Sequence, residues 1–201
     1  MTDIIVLEGM EAVGKSTLLP VLNAALKAKG KRVESVREPG GTPLAERIRT
    51  EILLSKGAYQ DLSLFYGFQI CRAELLAYMR SRIPEVDVFV MDRFWPSTWA
   101  YQVRASHVSQ ALFNATLGAL SAYLGYFRLH MFYLDCPEDV RQARMKAAGK
   151  GGDRYESKDA AFHAKVREGY EELVGTHMTR VDSSRAPEAV ADEIIGQLAF
   201  A

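Results

Sequence analysis

Cysteine is scarce in this chain of 201 residues: only Cys71 and Cys136 are present. Neither has a second Cys or a His at metal-ligand spacing, which argues against both a disulfide framework and a zinc site. At this length a hydrophobic core suffices without such staples, and a reducing compartment, the cytoplasm, is expected. Net charge is absent as well. The 25 basic and 25 acidic residues cancel, so bulk nucleic-acid binding is not expected. Long apolar runs are missing too. Met1-Thr2-Asp3 has no basic character and Ile4–Leu7 is short, so no export signal is expected. The one long uncharged stretch, Ala105–Phe127, is interrupted by Ser106, His107, Ser109, Gln110, Asn114, Thr116 and Ser121. A spanning helix would leave those groups in lipid, so no membrane contact is expected. Phe113, Leu117, Leu120 and Leu124 instead repeat at helical spacing, which predicts a largely buried helix or one facing a partner subunit.

Repeats, low-complexity tracts and an obvious linker are also lacking, and residues 1–201 read as a single domain. What remains is an alternation of short β-rich runs and helical patterns. Strands are predicted at Asp3–Glu8, Val33–Val36, Val86–Met91, Arg128–Leu134 and Met178–Val181. Helices are predicted at Lys15–Lys29, Pro43–Leu54, Leu62–Arg82, Glu138–Ala147, Lys158–Val174 and Glu188–Leu198. Strands that alternate with helices predict an α/β fold with a parallel sheet covered on both faces, and ligands at the carboxyl ends of the strands.

The strongest local signal lies between the first strand and the first helix. Gly9-Met10-Glu11-Ala12-Val13-Gly14-Lys15-Ser16-Thr17 fits G-x-x-x-x-G-K-[ST]. Glycines let backbone N–H groups converge on phosphate oxygens, and the helix amino terminus adds partial positive charge. Lys15 is expected on the β- and γ-phosphates and Ser16 on Mg²⁺. The chain therefore reads as a binder of a nucleoside triphosphate. It has no Asn-Lys-x-Asp element for reading guanine, and no His-Arg-Asp or Asp-Phe-Gly of the protein kinases.

Two further motifs follow strands and fall on the same sheet edge. Arg37-Glu38-Pro39-Gly40-Gly41-Thr42 follows the second strand, and Asp92-Arg93-Phe94 through Ala100-Tyr101-Gln102 follows the third. An acid beside an arginine at such an edge suits Mg²⁺ and an incoming phosphate together. A simple strand-end ion pair at Asp92-Arg93 and a plain tight turn at Gly40-Gly41 remain the alternatives.

With these motifs in place the chain resembles the thymidylate kinases, members of the P-loop nucleoside-monophosphate kinases, over essentially its whole length. The resemblance rests on Glu8–Glu11 with the P-loop, on Arg37–Thr42, on Asp92–Phe94 with Ser97 and Ala100–Gln102, and on Asp153-Arg154-Tyr155-Glu156. It implies a three-layer P-loop NTPase fold with a five-stranded parallel sheet of order 2-3-1-4-5, a homodimer, and transfer of the ATP γ-phosphoryl group to dTMP with Mg²⁺. It also implies roles. Lys15, Arg93, Glu11 and Arg154 would be catalytic, and Ser16 and Asp92 would serve the metal. Gly9–Thr17 and Arg144 would hold ATP. Glu11, Arg37, Pro39, Arg49 and Arg93 would line the acceptor sugar and phosphate, while Phe68, Arg72, Ser97 and Thr98 would meet the base. Tyr101 would fill the space beside C2′.

Ala12 supplies no cation within the P-loop, which resembles the bacterial members whose lid provides it. A lid loop at about 145–157 would bring Arg144, Lys146, Lys150 and Arg154 over ATP, with the register of Arg141 against Arg144 left open. Cys71 stands where the family commonly has an acid. No general base is needed, because an acceptor phosphate is largely dianionic at neutral pH. His107, His130, His163 and His177 all lie outside the phosphate motifs. Arg72, which has donors only, would favour the C4 carbonyl of thymine or uracil over the amino group of cytosine. Phe68, one turn earlier, lies on the same helix face; alternatively Phe68 is core and Arg72 pairs with Glu74 or a neighbouring acid at the surface. Two other readings stay open: a kinase of the same build for dUMP, a modified deoxypyrimidine monophosphate or several deoxynucleotides, and a non-catalytic nucleotide-binding regulator.

Overall fold

A computed structural model describes residues 1–55, 57–149 and 153–198. Five strands carry the architecture: β1 (Thr2–Glu8), β2 (Val33–Arg37), β3 (Val88–Asp92), β4 (Phe127–Asp135) and β5 (Thr179–Asp182). All pair in parallel in the order β2-β3-β1-β4-β5. Every residue of β1 is buried, as are Val88–Met91 of β3. Strands that read as continuous apolar runs are buried on both faces, and the helices supply the cover. The fold is the three-layer P-loop NTPase arrangement.

Eight helices follow the strands in turn: α1 (Lys15–Ala28), α2 (Pro43–Arg49), α3 (Asp61–Arg82), α4 (Trp95–Thr98), α5 (Gln110–Leu124), α6 (Glu138–Ala148), α7 (Ala160–Glu171) and α8 (Pro187–Gly196). The sheet register brings Leu7, Arg37 and Asp92 level with one another at the strands' carboxyl ends. Three motifs distant in sequence thereby share one edge.

The expected helix over Pro43–Leu54 is two pieces, α2 and a wider π-helical turn over Thr50–Leu54. A second such turn, Trp99–Arg104, continues α4. Both flank the site described below. The expectation of a largely buried helix within 105–127 is corrected. Only Gln110–Leu124 is helical, and Phe113 is its one fully buried residue. Leu112, Leu117, Leu120 and Leu124 are half-buried, because α5 meets the core along a narrow stripe. No helix among the described residues is long and apolar enough to cross a membrane.

Candidate active site

The loop from Gly9 to Gly14 joins β1 to α1. Gly9 has φ 139°, and a Cβ there would lie 2.5 Å from the Leu134 carbonyl oxygen. Only glycine lets the chain leave the sheet by this route. α1 opens with no side-chain cap and no acid in its first turn. Its leading N–H groups and the positive end of its dipole are left for an anion. Lys15 is buried over the same loop, its Nζ donating to the Gly9 and Met10 carbonyls at 2.8 and 2.9 Å. Burial, and then repulsion from Arg93, lower its pKa to about 8 against the pull of Asp92, Glu11 and Glu8.

Two clefts open at this edge. The first follows the phosphate loop from Glu11 to Thr17 and continues past Arg144, Ser183 and Arg185. The second runs among Arg37, Glu38, Pro39, Phe68, Arg72, Ser97, Thr98, Tyr101 and Tyr155. Glu11, Arg49, Asp92, Arg93 and Asp153 line both, so the clefts meet in one charged seam.

Arg93 stands at the centre of the seam with a left-handed backbone, φ 66°. That conformation is costly for a residue with a side chain. Its Nη2 donates to Glu11 Oε1 at 3.2 Å, and its Nη1 donates to Ser97 Oγ and the Tyr170 hydroxyl, both at 3.1 Å. Glu11 Oε1 also accepts from the Tyr101 hydroxyl at 2.5 Å. Burial alone would raise the Glu11 pKa, but Arg93, Tyr101 and Lys15 outweigh it and the carboxyl is held below its ordinary range. Arg49 donates to the Pro39 carbonyl at 2.8 Å, and Arg37 pairs with Glu46 at 2.8 Å.

The base-side cleft is held by a buried ion pair. Arg72 Nη2 donates to Glu38 Oε2 at 2.7 Å and to Thr98 Oγ1 at 2.8 Å, Nε donates to both Glu38 oxygens, and Nη1 donates to Gln69 Oε1. Arg72 is 2% and Glu38 5% exposed. Burial pushes the Glu38 carboxyl up to about 6, with Arg72 opposing. The surface alternative with Glu74 is therefore corrected: the partner is Glu38, buried. One Nη1–H of Arg72 has no protein partner among the described residues. Phe68 and Tyr155 face each other with ring centroids 6.3 Å apart. Cys71, in place of an acid, is buried and donates weakly to the Ala45 carbonyl at 3.6 Å.

Gly9 and Met10 lie beneath the phosphate cleft, and Glu11–Thr17 line it. Arg144 reaches it from α6, donating to the Val13 and Ser183 carbonyls at 3.0 and 2.9 Å. Arg141 instead pairs with Glu138 on its own helix, so Arg144 is the arginine in register. Arg37, Pro39, Arg49, Phe68, Arg72, Arg93, Thr98 and Tyr101 line the second cleft as expected.

Three positions differ. Ser97 lines that cleft, but its hydroxyl turns to Glu8 and Arg93 rather than to a base edge. Arg154 lines neither cleft. Its guanidinium donates to the Ile52, Ser55 and Gly57 carbonyls and stacks on Tyr59, because the π-helical turn leaves those oxygens unpaired beside it. The lid expected at 145–157 begins as the end of α6, with Lys146 exposed on it, and Lys150 lies outside the described residues. Residues the motif reading passed over are Glu8, Gln102, Tyr155 and Tyr170, together with Glu38 as the partner of Arg72. A lone acid closing the apolar run Ile4–Leu7 was a legible signal for Glu8; Tyr170 had none.

The oxygens present suit Mg²⁺. Ser16 is exposed in the phosphate cleft, and Asp92 Oδ1 and Glu11 Oε2 are buried without a hydrogen-bond partner. No group of three metal-ligating side chains exists among the described residues. That accords with a hard cation held largely by phosphate and water oxygens.

A phosphate-binding loop whose cleft opens onto a second, arginine-lined pocket defines a P-loop phosphotransferase of the nucleotide kinase type. The thymidylate kinase family model matches residues 7–194. The chain is 35% identical to a thymidylate kinase of Gluconobacter oxydans over 95% of this chain and 91% of that one. It is 32% identical to one of Acinetobacter baylyi, covering 94% of each, and 31% identical to one of Chlorobium chlorochromatii, covering 97% and 93%. The chain belongs to the thymidylate kinase family.

Proposed function

We propose that the chain transfers the γ-phosphoryl group of ATP to dTMP, giving dTDP and ADP. The observation that carries this reading is the shared seam: one set of residues, Glu11, Arg49, Asp92, Arg93 and Asp153, walls both clefts. A donor phosphate on the P-loop and an acceptor phosphate in the second cleft would meet there.

Catalysis is alignment and charge neutralisation. Arg93 and Arg49 hold the acceptor phosphate, which is already anionic and needs no base. Lys15 exchanges the Gly9 and Met10 carbonyls for phosphate oxygens. Arg144 approaches the donor from α6. Ser16 and Asp92 hold Mg²⁺, which neutralises charge on the transferred phosphate when bound. On the base side, Phe68 stacks on the ring and Arg72 offers its remaining Nη1–H to a pyrimidine carbonyl. Thr98, bonded to Arg72, fixes that edge, and Tyr101 closes the sugar side.

A homodimer is part of the same reading. Leu62, Tyr66 and Ile70, one turn apart along α3, are 51%, 48% and 47% exposed. Tyr123 and Tyr126, on and just after the neighbouring α5, are exposed as well. Such a surface suits a second copy, and light scattering would read the mass. Two free buried cysteines accord with work in a reducing cytoplasm.

The test is ADP release with ATP and Mg²⁺ across dTMP, dUMP, dCMP, dAMP and dGMP. dTMP should be preferred, with dCMP poorest among the pyrimidines. Equal rates on all five would refute dTMP selectivity, and no turnover would refute the kinase.

A further inference from the structure

Arg93 is held in place from behind by a buried relay that no phosphate motif includes. Both Nη1 contacts of Arg93 go to hydroxyls, Ser97 Oγ and the Tyr170 hydroxyl, each at 3.1 Å. Both hydroxyls donate in turn to one carboxylate oxygen, Glu8 Oε2, at 2.7 Å from Ser97 and 3.1 Å from Tyr170. The other oxygen, Glu8 Oε1, accepts from the Phe94 backbone N–H at 2.6 Å. Glu8 and Tyr170 are both fully buried.

We propose that Tyr170 is a positioning residue for the phosphate-binding arginine, acting through its hydroxyl with Glu8 as the anion behind it. With both Nη1 protons engaged and one Nη2 proton on Glu11, the Nε–H and the second Nη2–H are left without a protein partner among the described residues. Those are the donors available to a phosphate in the seam. The relay also opposes the strain of the Arg93 backbone. Tyr170 reaches this spot because α7 packs unusually close to the Trp99–Arg104 turn. A Cβ on Gly169 would lie 2.8 Å from Ala100 Cα, so glycine is what permits the approach. The ring itself is fixed independently, stacked on Tyr133 with centroids 5.2 Å apart. Losing the hydroxyl therefore leaves the packing in place.

The inference rests on the reading of Arg93 as the acceptor-phosphate residue, and the experiment separates the two. Affinities for dTMP and for thymidine, which lacks the phosphate, are measured by calorimetry on the full chain carrying Tyr170→Phe, Arg93→Lys or both. Tyr170→Phe should weaken dTMP about tenfold, the worth of a hydrogen bond to a charged group, and leave thymidine unchanged. In the Arg93→Lys background the same change should have no further effect on dTMP. Equal loss for dTMP and thymidine, no loss for either, or an undiminished effect in the Arg93→Lys background would overturn the role of Tyr170. If Arg93→Lys itself leaves the dTMP-to-thymidine ratio unaltered, the reading of Arg93 fails instead.

Discussion

The two clefts that share a seam are built in opposite ways. The phosphate cleft is made of backbone left unsatisfied: an uncapped helix start, a lysine resting on carbonyls, and carboxylate oxygens without partners. The base cleft is made of side chains satisfied against one another, with Arg72 spending four of its five donors on Glu38, Thr98 and Gln69. The first is poised for charge that arrives with a ligand; the second is a preformed mould. Substitutions in the first should therefore cost activity without stability, and in the second stability together with affinity.

The largest effect on that contrast should come from Glu38→Gln. It leaves the Arg72 guanidinium buried without its counter-charge, which costs about 3–5 kcal/mol. Chemical denaturation should show this as a drop in unfolding free energy. A stability within about 0.5 kcal/mol of wild type would mean that the pair is not what holds the mould.

Lys15→Ala is the counterpart on the phosphate side. Loss of a preorganised charge on the migrating group should lower kcat by about 3 kcal/mol or more, with unfolding free energy little changed because Lys15 contacts loop carbonyls and no apolar face. Near-wild-type turnover at saturating ATP would remove the P-loop assignment.

This contrast also explains what could be read in the chain. Backbone sites are written locally, so Gly9–Thr17 and the strand-ending Asp92-Arg93 were visible as motifs, and the strand–helix alternation delivered the sheet. The base mould depends on Arg72 meeting Glu38 across 34 positions, and no periodicity within α3 points to that partner. The two π-helical turns escaped for a related reason. Their sequences are ordinary helix formers, and the widening answers to tertiary packing around the cleft. Arg154 was misplaced because spacing alone made it a lid cation, whereas the unpaired carbonyls that capture it arise from a turn about a hundred residues earlier in the chain.

Arg154→Ala sharpens the comparison further. As the residue tying the lid segment to the Thr50–Leu54 turn, it should raise KM for dTMP severalfold, about 1 kcal/mol, and change kcat less. Steady-state kinetics in dTMP decide it: a large fall in kcat with unchanged KM would return Arg154 to the transferred phosphate.

The smallest effects are in pH. Glu38 has its pKa raised to about 6, so the folded protein takes up a proton there that the unfolded chain takes up only near 4.5. Raising the pH from about 4.5 to 6 should accordingly lower stability. On lowering it through 6, Arg72 loses its charged partner. Thymidine, free of the phosphate's own titration, should bind a few times more weakly at pH 5 than at pH 7 by calorimetry. Lys15 behaves oppositely. Its pKa is lowered to about 8, so above pH 8 ATP should bind with proton uptake, seen as a dependence of binding enthalpy on buffer ionisation. Unchanged binding in either case would place the shift elsewhere.

The central claim is that donor and acceptor phosphates meet in one seam and exchange the phosphoryl group directly. Initial rates with ATP and dTMP varied together test it most directly. Intersecting reciprocal plots, the signature of a ternary complex, are the predicted result; parallel plots, showing a phosphorylated enzyme released between the two substrates, would contradict it.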